Sequence, residues 1–360
     1  MRKTFIFILI VLALVFSSAL WGCTGKGEPK GTLGEENTFF AEWMSYIKGE
    51  ALLTKIAIPG THDSGSHGIG GDTPILNMLA ETQDSGIYGQ LVAGARYFDI
   101  RVTYREDGDD ETEDVLVIYH GATNMGLTFY EVCQDIDRFL NEYPSEFLIL
   151  DFQHFGTERE EDVLEMLDSM LSLSENALKN DTDLATLTMA DIRSLGARFI
   201  VVWGGDEEAD SDYVFSRSDC LVSPYNSKYH YCGPEFLINE GFKRQYWARR
   251  EGRLFVLQTV LTMTFDDSAP GFTYKYYSEI KEMENDLNPP ANAYIRSLAL
   301  PENAETLEKI NIIMRDYFTA DAEKARSILA LNLAKGLVIE EHIPLFNENT
   351  EAKVVFIFEG

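Results

Sequence analysis

KIAIPGTHDSG, residues 55–65, is the stretch that decides the fold, because an apolar run of strand length ends there in a glycine turn that carries His62. Two similar runs follow, ARYFDIR at residues 95–101 and VLVIYHG at residues 115–121, and the last of them carries His120. Polar groups at the carboxyl ends of buried parallel strands converge on one mouth of an α/β barrel. Two imidazoles beside Arg101, which ends the middle run, suit acid/base cleavage of a phosphodiester. One His takes a proton, the other gives one, and Arg101 offsets phosphoryl charge.

Apolar strand candidates recur along the chain, and helical patterns separate several of them. The strand candidates are residues 55–58, 95–100, 114–119, 146–152, 198–203, 219–223, 253–260, 311–315 and 354–358. Apolar residues at i, i+3 and i+4 spacing predict helices over Thr128–Tyr143 and Asp162–Leu173, and a third is predicted over Ala320–Lys335. Strands that alternate with helices indicate a mostly parallel sheet. We therefore predict an α/β fold, a distorted (β/α)8 barrel of the TIM type, in a single domain over residues 37–360.

Residues 1–22 have the pattern of an export signal. A basic start, Arg2-Lys3, precedes the apolar run Phe5–Phe16, which is too short for a transmembrane helix. The sequence LWGC, ending at Cys23, resembles a bacterial lipobox, which implies cleavage before this cysteine and lipidation of its thiol. The alternative is a conventional signal peptide cut nearby, with Cys23 incidental. With residues 23–36 as a tether, we predict an exported lipoprotein, anchored to a membrane at the cell surface or in the periplasm.

The chain is strongly acidic, with a formal net charge of −29 at pH 7. Removal of residues 1–22 takes away two positive charges and no acid, so the mature chain would carry −31. This charge argues against a nucleic acid partner, because binding to the phosphate backbone requires a basic surface. Any phosphate site must therefore be a local positive pocket in a negative field.

Three cysteines remain beyond Cys23. Cys133 lies in a helical pattern and is predicted to be a buried small side chain. Cys220 and Cys232 could pair outside the cytoplasm or stay free, and the sequence leaves both states open. No spacing of cysteines and histidines indicates a zinc site.

The motifs around the two histidines resemble the X domain of phosphatidylinositol-specific phospholipases C. The resemblance is to the metal-independent bacterial enzymes and still more to the short proteins that consist of the X domain alone. It covers most of residues 50–335. The motifs that carry it are AIPGTHDS (57–64), GARYFDIR (94–101), YHG (119–121), the helix and strand pattern of 129–155, LFVLQ (254–258) and NIIMRDY (311–317).

The resemblance implies a role for each histidine of these motifs. His62 matches the family's general base, which takes the proton of the inositol 2-hydroxyl so that this oxygen attacks phosphorus. His120 matches the general acid, which protonates the departing diacylglycerol oxygen. In a second step the roles reverse, and water opens the cyclic phosphate. The remaining histidines match no role and are predicted to be structural or exposed: His67, His154, His230 and His342.

Three positions bear on whether a metal takes part. By resemblance, Arg101 stands where related eukaryotic enzymes hold a calcium ligand, and its fixed guanidinium would supply positive charge without a metal. Asp99 corresponds to another calcium-ligand position, and Gln153 falls where those enzymes carry a glutamate. One carboxylate, one arginine and one amide make a poor calcium cage. The prediction is therefore an enzyme without a metal or other cofactor, in which Asp99 and Gln153 contact the substrate.

Two carboxylates are predicted to support these groups. By resemblance, Asp63 pairs with Arg101, and Asp316 accepts a hydrogen bond from His62 and stabilises its imidazolium. Asp316 could instead cap the helix that follows it.

The headgroup contacts differ from those of the bacterial enzymes. Tyr225 matches a tyrosine that stacks on the inositol ring. Just ahead of it, Ser223-Pro224 stand where the bacterial enzymes carry an Asp, and Trp203-Gly204-Gly205 stand where they carry an Arg.

The predicted function is phosphodiester cleavage of phosphatidylinositol-type lipids, giving diacylglycerol and an inositol (cyclic) phosphate. The predicted substrate is a phospholipid or glycolipid at a membrane surface, and the protein is predicted to act as a monomer. Two alternatives come from other classes. One is a metal-dependent barrel enzyme of the glycerophosphodiesterase or sphingomyelinase D kind, and the other is a non-catalytic module that binds glycolipid headgroups. Arg101 and Gln153 speak against the first, and the presence of both His62 and His120 speaks against the second.

Overall fold

The structure, a computed structural model, describes residues 38–67, 79–105, 115–121, 123–157, 159–205, 209, 211–263 and 277–351. From Thr38 onwards the chain forms one compact unit. No helix within these ranges combines the length and apolar character that a membrane crossing requires. The predicted signal peptide, Cys23, the tether and the strand candidate 354–358 lie outside the described residues.

Within these ranges ten strands form one sheet. Parallel pairing joins eight of them in the order β7-β6-β5-β2-β1-β10-β9-β8. The strands are β1 (Ile58–Thr61), β2 (Tyr97–Arg105), β3 (Val115–His120), β4 (Thr123–Thr128), β5 (Leu148–Phe155), β6 (Phe199–Trp203), β7 (Val214–Ser216), β8 (Leu221–Val222), β9 (Leu254–Gln258) and β10 (Ile312–Arg315).

The two end strands, β7 and β8, are consecutive in the chain, and only residues 217–220 separate them. The sheet must therefore curl until its two edges approach each other. Among the described residues no ladder of hydrogen bonds joins β7 to β8. The fold is the predicted distorted (β/α)8 barrel, with its distortion at this seam.

Helices cover the outside of the barrel. Those of six or more residues are α1 (Ile87–Val92), α2 (Phe129–Glu142), α3 (Glu160–Leu171), α4 (Met189–Leu195), α5 (Ile280–Ser297), α6 (Glu323–Ala334) and α7 (Ile343–Thr350). Shorter α-helical or π-helical turns are Leu173–Asn176, Arg217–Cys220, Ser227–His230, Pro234–Phe236, Leu237–Gly241, Phe242–Gln245 and Ala304–Leu307. Short 3-10 turns are Thr38–Ala41, Trp43–Tyr46, Leu53–Lys55, Pro301–Asn303, Phe318–Ala320 and Glu340–His342.

Alternation along the strands separates the interior of the barrel from its helical coat. On β5, Ile149 belongs to the same buried cluster as Ile200 and Trp43, whereas its neighbours Leu148 and Leu150 pack in the cluster that contains the apolar face of α2. Helix α2 begins at a capping box, in which Thr128 accepts from the Glu131 amide and the Glu131 side chain accepts from the Thr128 amide.

The third sequence run is not a barrel strand, which corrects its simple interpretation. β3 pairs antiparallel with the outer half of β2, and β4 pairs antiparallel with β3. β2 therefore extends past the mouth, and β3 returns towards it and ends at His120. The histidine is carried to the mouth by this hairpin and not by a parallel strand of its own.

The first predicted strand is shifted by three residues. The prediction over 55–58 stopped before Pro59-Gly60, but β1 spans Ile58–Thr61 and Pro59 pairs with Ile313 of β10. Proline is tolerated here because Pro59 precedes the β1–β2 ladder, which begins at Gly60, and its carbonyl still accepts from the Arg96 amide at 2.9 Å. The strands β4 and β7 were not predicted.

Candidate active site

Three strand ends bring the candidate catalytic side chains together at one mouth of the barrel. His62 and Asp63 directly follow β1, Asp316 directly follows β10, and His120 ends β3. The rings of His62 and His120 lie 6.2 Å apart, centroid to centroid, at an interplanar angle of 80°. A phosphodiester group can therefore reach both imidazoles at once.

His62 is held by Asp316. The Nδ1 of His62 lies 2.8 Å from Oδ1 of Asp316. An ionised carboxylate can only accept, so Nδ1 carries a proton and Nε2 faces the mouth. The Asp316 side chain is engaged here, and the start of α6 is bonded instead by Asp321, whose Oδ1 accepts from the Glu323 amide at 2.9 Å.

Asp63 joins the two histidines. Its buried Oδ2 lies 3.4 Å from Nε2 of His62 and 3.2 Å from Nε2 of His120. Its Oδ1 forms an ion pair with Nε of Arg101. The backbone at Asp63 has φ +41°, a left-handed conformation that is uncommon for residues other than glycine. One carboxylate thus contacts the candidate base, the candidate acid and the guanidinium.

A hydrogen bond on the far side of the His120 ring decides which ring nitrogen carries a proton. Its Nδ1 lies 2.7 Å from the carbonyl oxygen of Ala80, which can only accept. Nδ1 therefore carries a proton, and Nε2 points to Asp63. A second proton on Nε2 gives an imidazolium that Asp63 stabilises, so His120 is suited to donate a proton at the mouth.

The charges around His62 favour its protonated form. Burial by itself lowers the pKa of this imidazole, but Asp63 and Asp316 together outweigh it and raise the pKa to about 9. Arg101 also faces the ring and lowers the value. Burial raises the pKa of Asp99, but Arg101 and His62 outweigh this and hold it below its usual range. The mouth is thus a network of mutually dependent charges.

The groups around Asp99 suit the guanidinium of an arginine better than they suit a metal ion. His62, Asp63 and Asp99 offer ligand atoms within 4.8 Å of one another, as a metal site would. However, Arg101 ion-pairs with both carboxylates, its Nη2 lying 3.2 Å from Oδ2 of Asp99. The amide nitrogen of Gln153 donates to both Asp99 oxygens at 3.3 Å, so Gln153 presents a donor and not a ligand oxygen. The fixed guanidinium already supplies the charge that a cation would bring.

Asp99 is wholly buried, and its oxygens are taken up by Arg101, Gln153 and the amide of Asp63. It therefore supports Arg101 from behind. The predicted substrate contacts of Asp99 and Gln153 stay predictions, and of the two Gln153 is partly exposed.

Arg217 is a site residue that sequence reasoning missed. It follows β7, and its Nε donates to Oδ1 of Asp151 at 2.9 Å, while its Nη2 donates to Oε1 of Gln153 at 2.8 Å. An arginine thus reaches the wall of the mouth although none stands at Trp203–Gly205. Nothing in the sequence around Arg217 signals this, because both partners lie more than 60 residues away.

Tyr225 presents a half-exposed ring, with 47% of its surface accessible. Its ring stacks on His230 with centroids 4.5 Å apart, and its hydroxyl lies 3.2 Å from Oγ1 of Thr262. His230 is buried, and its Nδ1 donates to the carbonyl of Val260 at 2.8 Å. Burial lowers the pKa of His230 to about 4, so this ring is a neutral support for Tyr225.

Three of the four cysteines lie in the described part of the chain. Cys133 and Cys220 are buried and Cys232 is partly buried, and none of the three is bridged. The pairing of Cys220 with Cys232, left open by the sequence, is absent here.

Comparison with known proteins connects this geometry to one family. Residues 56–203 match the family model described as phosphatidylinositol-specific phospholipase C, X domain. The chain is 30% identical over 150 residues to the PI-PLC X domain-containing protein 2 of Mus musculus, covering 35% of this chain and 43% of that protein. It is 35% identical over 109 residues to the 1-phosphatidylinositol phosphodiesterase of Listeria monocytogenes, covering 30% of this chain and 31% of that protein. The matched segments span less than half the length of these relatives.

A solved structure is similar over a longer stretch. The phosphatidylinositol-specific phospholipase C from Listeria monocytogenes superimposes with a TM-score of 0.57 at 19% identity, covering 81% of this chain and 98% of that chain. This likeness extends beyond the matched X-domain segment and establishes the barrel fold.

Proposed function

We propose that this chain, whose residues 56–203 match the family model of the phosphatidylinositol-specific phospholipase C X domain, cleaves the phosphodiester of phosphatidylinositol-type lipids. The observation that carries the proposal is the Asp63 carboxylate, whose Oδ2 lies within 3.4 Å of Nε2 of both His62 and His120. A binding module needs neither a base nor an acid. Two imidazoles that share a carboxylate beside a fixed guanidinium are suited to moving protons on both sides of a phosphorus atom.

In the first step the inositol 2-hydroxyl loses its proton to Nε2 of His62, and its oxygen bonds to phosphorus. The bond between phosphorus and the glycerol oxygen breaks, and Nε2 of His120 gives its proton to that oxygen. The products are diacylglycerol and an inositol cyclic phosphate. Arg101 offsets the charge that gathers on the phosphoryl oxygens. Only the neutral form of His62 accepts a proton, so the reaction draws on the fraction of enzyme in which this ring is deprotonated.

In the second step the roles reverse. His120, now neutral, takes a proton from water, and the water oxygen bonds to phosphorus. The bond to the 2-oxygen breaks and His62 returns the proton, which yields an inositol phosphate. The headgroup in this proposal stacks on the exposed face of Tyr225, and Arg217 and Gln153 also contact it.

We further propose that the protein acts at a membrane surface as an exported, monomeric lipoprotein anchored through Cys23. The support for the anchor is the sequence of residues 1–23. The support for a membrane substrate is the chemistry of the lipid itself.

The test is to follow products by phosphorus NMR across a panel of lipids, with His62→Ala and His120→Ala as variants. Each should lose nearly all turnover, and general acid/base contributions run roughly 10²–10⁴-fold. The double variant should lose much less than the product of the two single losses, because the pair acts as a unit. His342→Ala is the matched control, since this histidine is partly exposed and its Nε2 lies 3.5 Å from the carboxylate of its neighbour Glu341. Near wild-type rates in either single variant would refute the assignment.

A further inference from the structure

A short segment beside the mouth, Ala80–Gln83, bonds to His62, to the His120 ring and to the turn that carries Asp316. We call it the clasp. At its end lies Gln83, which is completely buried. Its Nε2 donates to the carbonyl of His62 at 2.8 Å and to the carbonyl of Arg315 at 3.1 Å. Its Oε1 accepts from the amide of Phe318 at 3.0 Å. One carboxamide thus joins the residue that bears the base to both sides of Asp316.

The rest of the clasp extends these contacts. The carbonyl of Thr82 accepts from the Tyr317 amide at 2.6 Å, and the Thr82 hydroxyl donates to the carbonyl of His62 at 3.1 Å. The carbonyl of Ala80, at the other end, accepts from Nδ1 of His120. The clasp therefore bonds to the base His62, to the acid His120 and to the turn that carries Asp316, so the same four residues hold all three groups.

The turn that presents Asp316 needs such support. Tyr317, the next residue, has φ +43°, a left-handed conformation that is a strained state for a bulky side chain. Besides the clasp, Lys324 bonds the backbone of this turn, its Nζ donating to the carbonyls of Asp316 and Tyr317 at 2.6 and 2.9 Å. Without these donors the turn can relax, and Asp316 would move away from His62.

We propose that Gln83 is a positioning residue, which holds His62 and the Asp316 turn at the separation that their side-chain hydrogen bond requires. Gln83 touches no reacting atom in this proposal. Its effect on turnover rests on the proposed function, but its effect on the His62–Asp316 pair does not. The charged and titratable groups that face His62 are Asp63, Asp316, Arg101, Asp99, His120 and His230, and among these Gln83 controls the placement of Asp316.

The test compares Gln83→Met with the matched control Gln245→Met. Gln245 is also a buried glutamine that donates to one backbone carbonyl and accepts from one amide, both of Gln258, and the described hydrogen bonds do not join it to His62, His120 or Asp316. Imidazole NMR without substrate measures the pKa of His62. In Gln83→Met we expect it to fall from about 9 towards 6.5, because Asp316 no longer lies against the ring. In Gln245→Met we expect no change.

Kinetics supply the second measurement. In Gln83→Met kcat should fall roughly 10–100-fold, because the residue that orients His62 and Asp316 is lost. KM should stay unchanged, because Gln83 does not touch the substrate. Gln83→Asn keeps the carboxamide but draws it back by one carbon, so it should show smaller changes of the same sign, and it replaces the Met variant if that chain does not fold.

The outcomes separate the two proposals. A His62 pKa that does not move in a folded Gln83 variant would overturn the positioning role whatever the enzyme does. A shifted pKa in a protein that cleaves no phosphoinositide would leave the positioning role intact and overturn the function. Failure of both Gln83 variants to fold, while Gln245→Met folds, would assign Gln83 to folding alone and would also overturn the proposal.

Discussion

Replacement of Asp63 by Asn isolates the charge at the centre of the site. Asparagine is nearly the same size as aspartate and tolerates the left-handed conformation that residue 63 adopts at φ +41°. Arg101 keeps its other partner, Asp99. The variant should therefore fold, and its changes report the lost charge.

The expected loss of turnover in Asp63→Asn follows from one distance. Oδ2 of Asp63 lies 3.2 Å from Nε2 of His120. Two unit charges at that separation attract by about 5 kcal/mol at an effective dielectric constant of about 20. This is an upper limit because water reaches part of the His120 ring. It corresponds to at most roughly 10⁴-fold in rate, and we expect Asp63→Asn to reduce turnover of a natural lipid by roughly 10³-fold.

The assay compares two leaving groups. A natural diacylglycerol needs a proton from His120, whereas a nitrophenolate leaving group departs without one. The loss in Asp63→Asn should therefore be much smaller on the nitrophenyl substrate. Asp183→Asn, at an exposed turn, is the control and should behave as wild type. Equal losses on both substrates would refute the argument that Asp63 works through the acid.

Three further predictions test other parts of the site. Activity should survive excess EDTA, and Arg101→Lys should be strongly impaired because an ammonium lacks the planar fork; activity lost to EDTA and restored by calcium would favour the metal-dependent alternative. Cys23→Ser should release the protein from membranes or stop its processing, as judged by fractionation and by the mass of acyl groups on residue 23; unchanged fractionation with no acyl mass would count against the anchor. His230 has a folded pKa of about 4 against 6.5 for an ordinary histidine, so its contribution to stability is complete above pH 6.5 and is lost as pH falls towards 4. As pH falls over that range, the free energy of unfolding of the wild type, measured with urea, should decrease by up to about 3 kcal/mol more than that of His230→Gln. Parallel pH profiles of the two proteins would contradict the assignment.

Much of the fold could be predicted because its signals are local. The apolar runs at β2, β5, β6, β9 and β10 correspond to observed strands, since buried parallel strands consist of continuous apolar residues. β4 (Thr123–Thr128) escaped prediction because TNMGLT has no such run and contains Gly126 at φ +76°. It is a strand because it pairs with β3, and pairing is not visible in the segment itself.

The catalytic residues were found through their motifs, but their supports were not. His62, Asp63 and His120 stand in recognisable sequences. The clasp has none, because a buried glutamine is distinguished only by what it touches, and the carbonyl of Arg315 lies 232 residues from Gln83. The antiparallel course of β3 was missed for a related reason, since an apolar run does not reveal its direction in the sheet.

The bond between His62 and Asp316 joins residues 254 positions apart, whereas the hairpin that bears His120 is built from neighbouring segments of β2, β3 and β4. Local pairings form early and distant ones late, because loop closure must precede distant contacts. During synthesis the ribosome therefore releases the acid's hairpin long before the base meets its carboxylate. A nascent chain that ends before β10 has both imidazoles but no partner to set the tautomer of the first. The proposed chemistry is thereby withheld from unfinished chains, and it begins only when β10 has been made.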